Sequence, residues 1–271
     1  MAASEESTAR RPDPAALERL YRRYTRRKYV HPDPLEFLYA YSNPENREIA
    51  GLIASALAFG QVQQILASVG TVLERLGKPR RALMQAGLYD FQSMFADFTH
   101  RWADGSELAG LLWGARNVIE RHGSLKACFE SALEADHETV HPALCRFTEE
   151  LVESEGCHYN SLLPCPSRGS ASKRLHLFLR WMVRRDRVDP GGWDGVPCSK
   201  LLMPMDVHMH RIARRFGMTD RSGADLKTAW EVTCEFRRLA PDDPVKYDFA
   251  LSRLGIRGDE DLDEALPSLL R

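Results

Sequence analysis

The chain has 271 residues, 44% of them hydrophobic, with 37 basic against 38 acidic side chains and a net charge of −1. That length can bury a full core, as one large domain or two small ones, while the balanced charge excludes a uniformly basic nucleic-acid coat. No run approaches the ~18 consecutive apolar residues of a membrane span, and Met1 to Glu6 lacks the pattern of a signal peptide, so a cytoplasmic protein with no membrane partner is expected.

In chain order, Asp13-Pro14 and Asp33-Pro34 each place a capping carboxylate before a proline suited to a first helical turn, predicting two N-terminal helices within 1–44. Apolar stripes follow at Ile49, Leu52, Ile53, Ala56 and Leu57, and at Val62, Ile65, Leu66, Val69, Leu73 and Leu76, with Gly60 between them. Further stripes at Leu108 to Ile119 and Val140 to Leu151 complete a predicted helical lobe over 45–160. Leu163 to Gly169 is a turn-rich lead into a helix, and Asp186 to Pro204 is a long loop containing Trp193. Asp206 then opens a helix that Gly217 ends, and stripes at Leu226 to Phe236 and Val245 to Leu254 carry the segment 161–256 to its close. Residues 257–271 read as an acidic tail. No stretch alternates with period two and no repeat of fixed period is visible, so the expected fold is all-α.

The six cysteines are scattered with no C-x-x-C pair, which predicts buried or idle thiols rather than a zinc or iron–sulfur site. Charge is segregated along the chain. Acids outnumber bases between Asp97 and Glu155, whereas Arg168, Lys173, Arg174, Arg180, Arg184, Arg185 and Arg187 crowd a stretch holding only Asp186. On the helix from Lys173, the residues Ala171, Leu175, Phe178, Leu179 and Met182 share one face, and Lys173, Arg180 and Arg184 share the opposite one. A cationic face with a lysine at the helix start, where backbone N–H groups point outward, suits a phosphate chain.

Three segments together resemble the helix-hairpin-helix superfamily of DNA glycosylases. They are Gly169 to Lys173 leading a helix, Pro204-Met205-Asp206-Val207-His208-Met209 opening another, and Asp243 to Leu251. The Asp-Val-His element after proline is similar to the 8-oxoguanine branch, and the run Lys173 to Arg184 is most like an uncharacterised bacterial family within that superfamily. The similarity spans roughly Leu163 to Ile256. It implies a two-lobed helical fold with a cleft between lobes that takes double-stranded DNA carrying a damaged base or abasic site, acted on by a monomer near the nucleoid without metal or cofactor. Carried over by residue, Lys173 is the amine nucleophile and Asp206 its electrostatic partner, giving base removal, for instance of 8-oxoguanine, followed by Schiff-base strand cleavage.

DNA contacts are expected from Arg168, Gly169, Ser170, Arg174, Arg180, Arg184, His208 and Arg211, and a base pocket or wedge from Phe59, Gln61, Gln64, Trp193 and Asp248. The superfamily's Gly-x-Gly hairpin turn is replaced here by Cys165-Pro166-Ser167-Arg168-Gly169, and 33 residues separate the lysine from the aspartate. The pair therefore works only if the intervening loop folds away. Two other readings use the same residues: a non-catalytic module recognising DNA structure or damage, and a metal hydrolase built on Asp206, His208 and His210.

Overall fold

Side-chain caps set where half of the described α-helices begin. In the computed structural model, which describes residues 11–153, 160–254 and 266–270, Asp13 accepts from the amides of Ala15 and Ala16 to open α1 (Pro14–Tyr24). Asn43 does the same for α2 (Pro44–Ala56), Asp104 for α6 (Gly105–His122) and Ser124 for α7 (Leu125–Ser131). The shorter or uncapped α3 (Val62–Leu76), α4 (Pro79–Gln85) and α5 (Leu88–Met94) lie between them, and α8 (His141–Glu153) follows. The chain ends through α9 (Lys173–Val183), α10 (Val207–Arg215), α11 (Leu226–Leu239) and α12 (Asp248–Ser252). The expected all-α class holds.

Two elements differ from the sequence reading. Asp33 caps the amide of Leu35, but the helix it starts, Pro34–Ala40, is a 3-10 segment. A small antiparallel hairpin, Thr99–His100 with Ala103–Asp104, was not foreseen, because two-residue strands leave no periodic signal.

Apolar side chains form two clusters. The larger gathers α2, α3, α6, α7, α8 and α9 around a central α2, whose residues Glu48 to Ala56 are all buried. Gly51 lets the Phe178 ring close on that helix, since a Cβ there would meet the ring at 3.3 Å. The smaller cluster joins α1, α10, α11 and α12 with Leu266 and Leu269.

The sequence division at residue 161 is therefore not a packing boundary. Leu175, Phe178, Leu179 and Met182 of α9 belong to the larger core, whereas Met209, Ile212 and Ala213 of α10 belong to the smaller one. Residues 266–270 dock against α1, with the Asp13 amide donating to the Leu269 carbonyl at 2.7 Å. The stretch 255–265 lies outside the described residues, as does Cys157. The other five cysteines are free thiols, and Cys165 alone among them is exposed.

The long loop after α9 folds back on its own helix. Gly191 N donates to Trp181 O at 3.1 Å and Trp193 N to Met182 O at 2.8 Å, satisfying carbonyls that the helix end would otherwise leave without partners. Trp193 is fully buried among Phe129, Phe147 and Phe178, and its indole donates to Glu48 Oε2 at 3.0 Å. With the loop stowed against the larger core, the chain re-emerges at Pro204 beside the start of α9.

Candidate active site

Lys173 occupies the first turn of α9 and Asp206 caps α10, and the two converge. Lys173 Nζ lies 2.8 Å from Asp206 Oδ2, with both side chains 36% exposed. Asp206 serves two functions with separate oxygens, since Oδ1 accepts the Met209 amide at 2.7 Å while Oδ2 faces the lysine. Burial pushes the Asp206 carboxyl upward, but the Lys173 ammonium and the Met209 N–H outweigh it and hold the group below its usual range. The turn that aims the lysine is strained. Ser172, a non-glycine residue, sits at φ 42°, held by its amide on Ser170 Oγ and by its hydroxyl on Ser170 O.

The pair opens onto a pocket of about 260 Å³ lined from both cores. From α9 come Lys173, Leu177, Arg180 and Trp181, at the spacings that put residues on one helical face. Asp206, His208 and Met209 come from the start of α10, Asp248, Ser252 and Arg253 from α12 and its end, Pro32 to Pro34 from the N-terminal segment, Ala58 and Gly60 from the turn between α2 and α3, and Val62 and Ile65 from the first turn of α3. Its charges are matched within the wall: Arg180 pairs with Asp248, and Arg253 pairs with Asp33 at 2.7 Å. Burial raises the Asp248 carboxyl against the pull of Arg180, and burial lowers His208, against Asp206, so that its ring is neutral near pH 7. Four buried nitrogens of wall residues have no hydrogen-bond partner, Arg180 Nε, Trp181 Nε1, His208 Nε2 and Arg253 Nε, although Arg180 Nε lies 3.3 Å from the Asp189 carboxylate.

Several sequence expectations are overturned by burial. Arg180 and Arg184 do not form a solvated cationic face. Both are buried, Arg180 between Asp189 and Asp248, and Arg184 among Asp186, Asp189 and Asp243, with Arg184 Nε 2.9 Å from Asp243 Oδ2. Two arginines inside a cluster of four carboxylates cannot contact a phosphate; they hold α9, the loop and α12 together. Trp193 belongs to the core and not to the base pocket. Arg174 is half-buried and donates to the carbonyls of Ala56 and Ser161, clamping α9 to the end of α2. The amide of Gly169 is committed to Pro166 O at 3.1 Å, so the hairpin turn does not present it to a ligand.

Other expected residues sit where a large ligand would reach them. Asp248 lines the pocket, although as an ion-pair partner. Arg168, Ser170, Arg211, Gln61 and Gln64 are exposed, and Gln61 and Gln64 flank Val62 of the pocket wall. Asp206, His208 and His210 do not form a ligand set: His210 Nε2 is bonded to Arg221 O at 2.9 Å, and the three are absent from the groups of potential metal ligands among the described residues.

Phe59 is half-buried and carries a feature the sequence did not reveal. Its ring stacks on Trp102 at 4.8 Å, and Trp102 stands 62% exposed at the tip of the small hairpin. Arg101, beside it, lies 4.9 Å from the Trp102 centroid and presses on Gly60, where a Cβ would come within 2.8 Å of its Cδ. An exposed indole backed by an aromatic ring thus adjoins the pocket mouth. Its only sequence trace is an Arg-Trp pair between two short polar runs, which carries no periodicity. Val207, next to Asp206, is 82% exposed and opens a second, cationic depression with Arg211 and Arg214.

Over residues 33–257, which include every pocket residue except Pro32, the sequence matches the family described as Protein of unknown function (DUF2400), and the chain belongs to that family. No curated protein and no solved structure matches it.

Proposed function

We propose that this protein is a DNA base-excision glycosylase of the helix-hairpin-helix type with an associated abasic-site lyase activity, acting as a monomer in the cytoplasm on double-stranded DNA that carries an oxidised purine such as 8-oxoguanine. The observation that carries the reading is the contact at 2.8 Å between an amine and a carboxylate, brought across 33 residues of chain to the mouth of a pocket. The pocket's volume lies below the roughly 300–1,000 Å³ of drug-sized sites and suits a single heterocycle.

The chemistry runs on these two groups. Asp206 relays the proton of the Lys173 ammonium to water and returns to its carboxylate form, leaving a neutral amine whose lone pair attacks C1′ of the extruded nucleotide. The bond from C1′ to the base nitrogen breaks and the base leaves with that electron pair, taking up a proton. Positive charge on the sugar is greatest at the transition state, where the fixed Asp206 carboxylate stabilises it. Ring opening gives an imine between Lys173 and C1′. Loss of a C2′ proton then expels the 3′ phosphate by elimination, and water releases the lysine.

The exposed groups suit a duplex. Trp102, stacked on Phe59, is placed to occupy the gap left by an extruded base, a step that costs a few kcal/mol of stacking. Arg168 and Arg211 offer cations to the flanking phosphates.

Borohydride trapping tests the proposal. Incubated with duplexes containing an abasic site or 8-oxoguanine, the wild type is expected to form a covalent adduct, and Lys173→Gln to form none while retaining DNA affinity. DNA binding without adduct or strand cleavage on any of several lesions would favour a non-catalytic damage-binding module.

A further inference from the structure

An indole N–H buried without a partner is costly, about 1–3 kcal/mol for a donor stripped of water, and native proteins leave few of them. Trp181 is 1% exposed, its Nε1 has no partner, and it lines the pocket that holds Lys173 and Asp206. It sits eight residues after Lys173 on the same face of α9, roughly 12 Å along the axis, and helical side chains lean back toward the N-terminus. A base whose C1′ lies at Lys173 Nζ would therefore point into the pocket toward Trp181.

The surrounding polar groups do not compete for that proton. Asp248 is taken by Arg180, Asp33 by Arg253, and Asp206 by Lys173 and the Met209 amide. His208 Nε2 is a further buried nitrogen of the wall without a partner. The wall accordingly offers an unmatched indole donor on α9.

We propose that Trp181 is the base-reading residue of this site, its indole N–H donating to a carbonyl oxygen of the extruded base, so that the pocket selects oxopurines. The inference rests on the glycosylase reading of the Lys173–Asp206 pair. An oxopurine carries a carbonyl oxygen on its ring, and that acceptor complements the Trp181 donor. A purine edge without a carbonyl leaves the indole unpaired, and a site that loses one buried hydrogen bond to its substrate discriminates strongly.

Trp181→Phe keeps an aromatic ring but removes the donor, together with the part of the indole that carries it. In the full-length protein, single-turnover release of 8-oxoguanine from a duplex is expected to fall roughly 10–100-fold, while borohydride trapping on a duplex with a preformed abasic site stays within about threefold of wild type, because no base occupies the pocket there. The melting temperature should fall by only a few degrees, since loss of an unpaired polar group offsets part of the cavity that the smaller ring leaves. Base release unchanged by the substitution would overturn the inference, as would base release and abasic-site trapping falling together, which would make Trp181 scaffolding. Wild-type protein that traps abasic sites yet releases no oxidised purine would also overturn it while leaving the Lys173 chemistry intact. A wild type that traps nothing would instead defeat the glycosylase reading itself.

Discussion

Asp206→Asn separates the two functions of a residue that both caps a helix and faces the lysine. Asparagine caps as well as aspartate, so the oxygen that accepts the Met209 amide at 2.7 Å is retained. The stability cost is then confined to an ion pair whose partners are each 36% exposed, about 1 kcal/mol or less after solvent screening, or about 2–4 °C in melting temperature for a chain of this size. Removing one preorganised charge from the developing cation costs about 10²–10³ in rate. Asp206→Ala loses the cap as well, about 1 kcal/mol more. Single-turnover base release and urea melts on both variants give the comparison: equal catalytic losses with unequal stabilities. An Asn variant within threefold of wild-type activity would refute the electrostatic role. One that melted as low as the Ala variant would show that the charge is structural.

Trp102→Ala should slow trapping on duplex abasic DNA about tenfold yet leave single-stranded abasic DNA unaffected, since no extrusion is needed there, and Trp102→Phe should recover most of the loss; equal rates for Ala and wild type on duplex would remove the wedge role. Arg168→Ala and Arg211→Ala should each weaken DNA binding similarly across sequences and lower the salt dependence by about one counterion, as read by titrations at several salt concentrations. Arg184→Ala should instead destabilise by about 3–5 kcal/mol in urea melts, because Asp186, Asp189 and Asp243 lose their shared cation inside the protein. His176 is fully buried with neither ring nitrogen bonded, and burial pushes it down to about 3. Its unfolded value is near 6.5, so the unfolded chain takes up the proton first and stability falls as pH drops from about 6.5 toward 3. Relative to His176→Leu, wild type should lose about 2 kcal/mol between pH 7 and pH 5 in denaturant melts, and parallel curves would show that His176 finds a partner.

The sequence was most legible where one residue acts on its neighbours. Asp13, Asp33 and Asp206 cap as their positions imply, Gly217 ends α10 at φ 65°, and the apolar face of α9 is the buried one. It was least legible where the partner lies far along the chain. Arg180 and Arg184 read as a solvated stripe because Asp243 and Asp248, about sixty residues on, cannot be seen beside them in a helical projection. Trp193 was misplaced for the same reason, since the aromatic residues that enclose it come from α7, α8 and α9. Trp181 was passed over because its place on the pocket face depends on α10 and α12 closing that pocket, and nothing local announces an unpaired N–H.

The amine is anchored in one hydrophobic core and its carboxylate in the other, which makes the reactive pair a gauge of how the two halves of the molecule are docked. Cores of unequal size need not soften together, and the smaller one holds α10. Mild denaturant that loosens this seam would silence the chemistry while most helices remain, so loss of turnover should precede loss of helical signal.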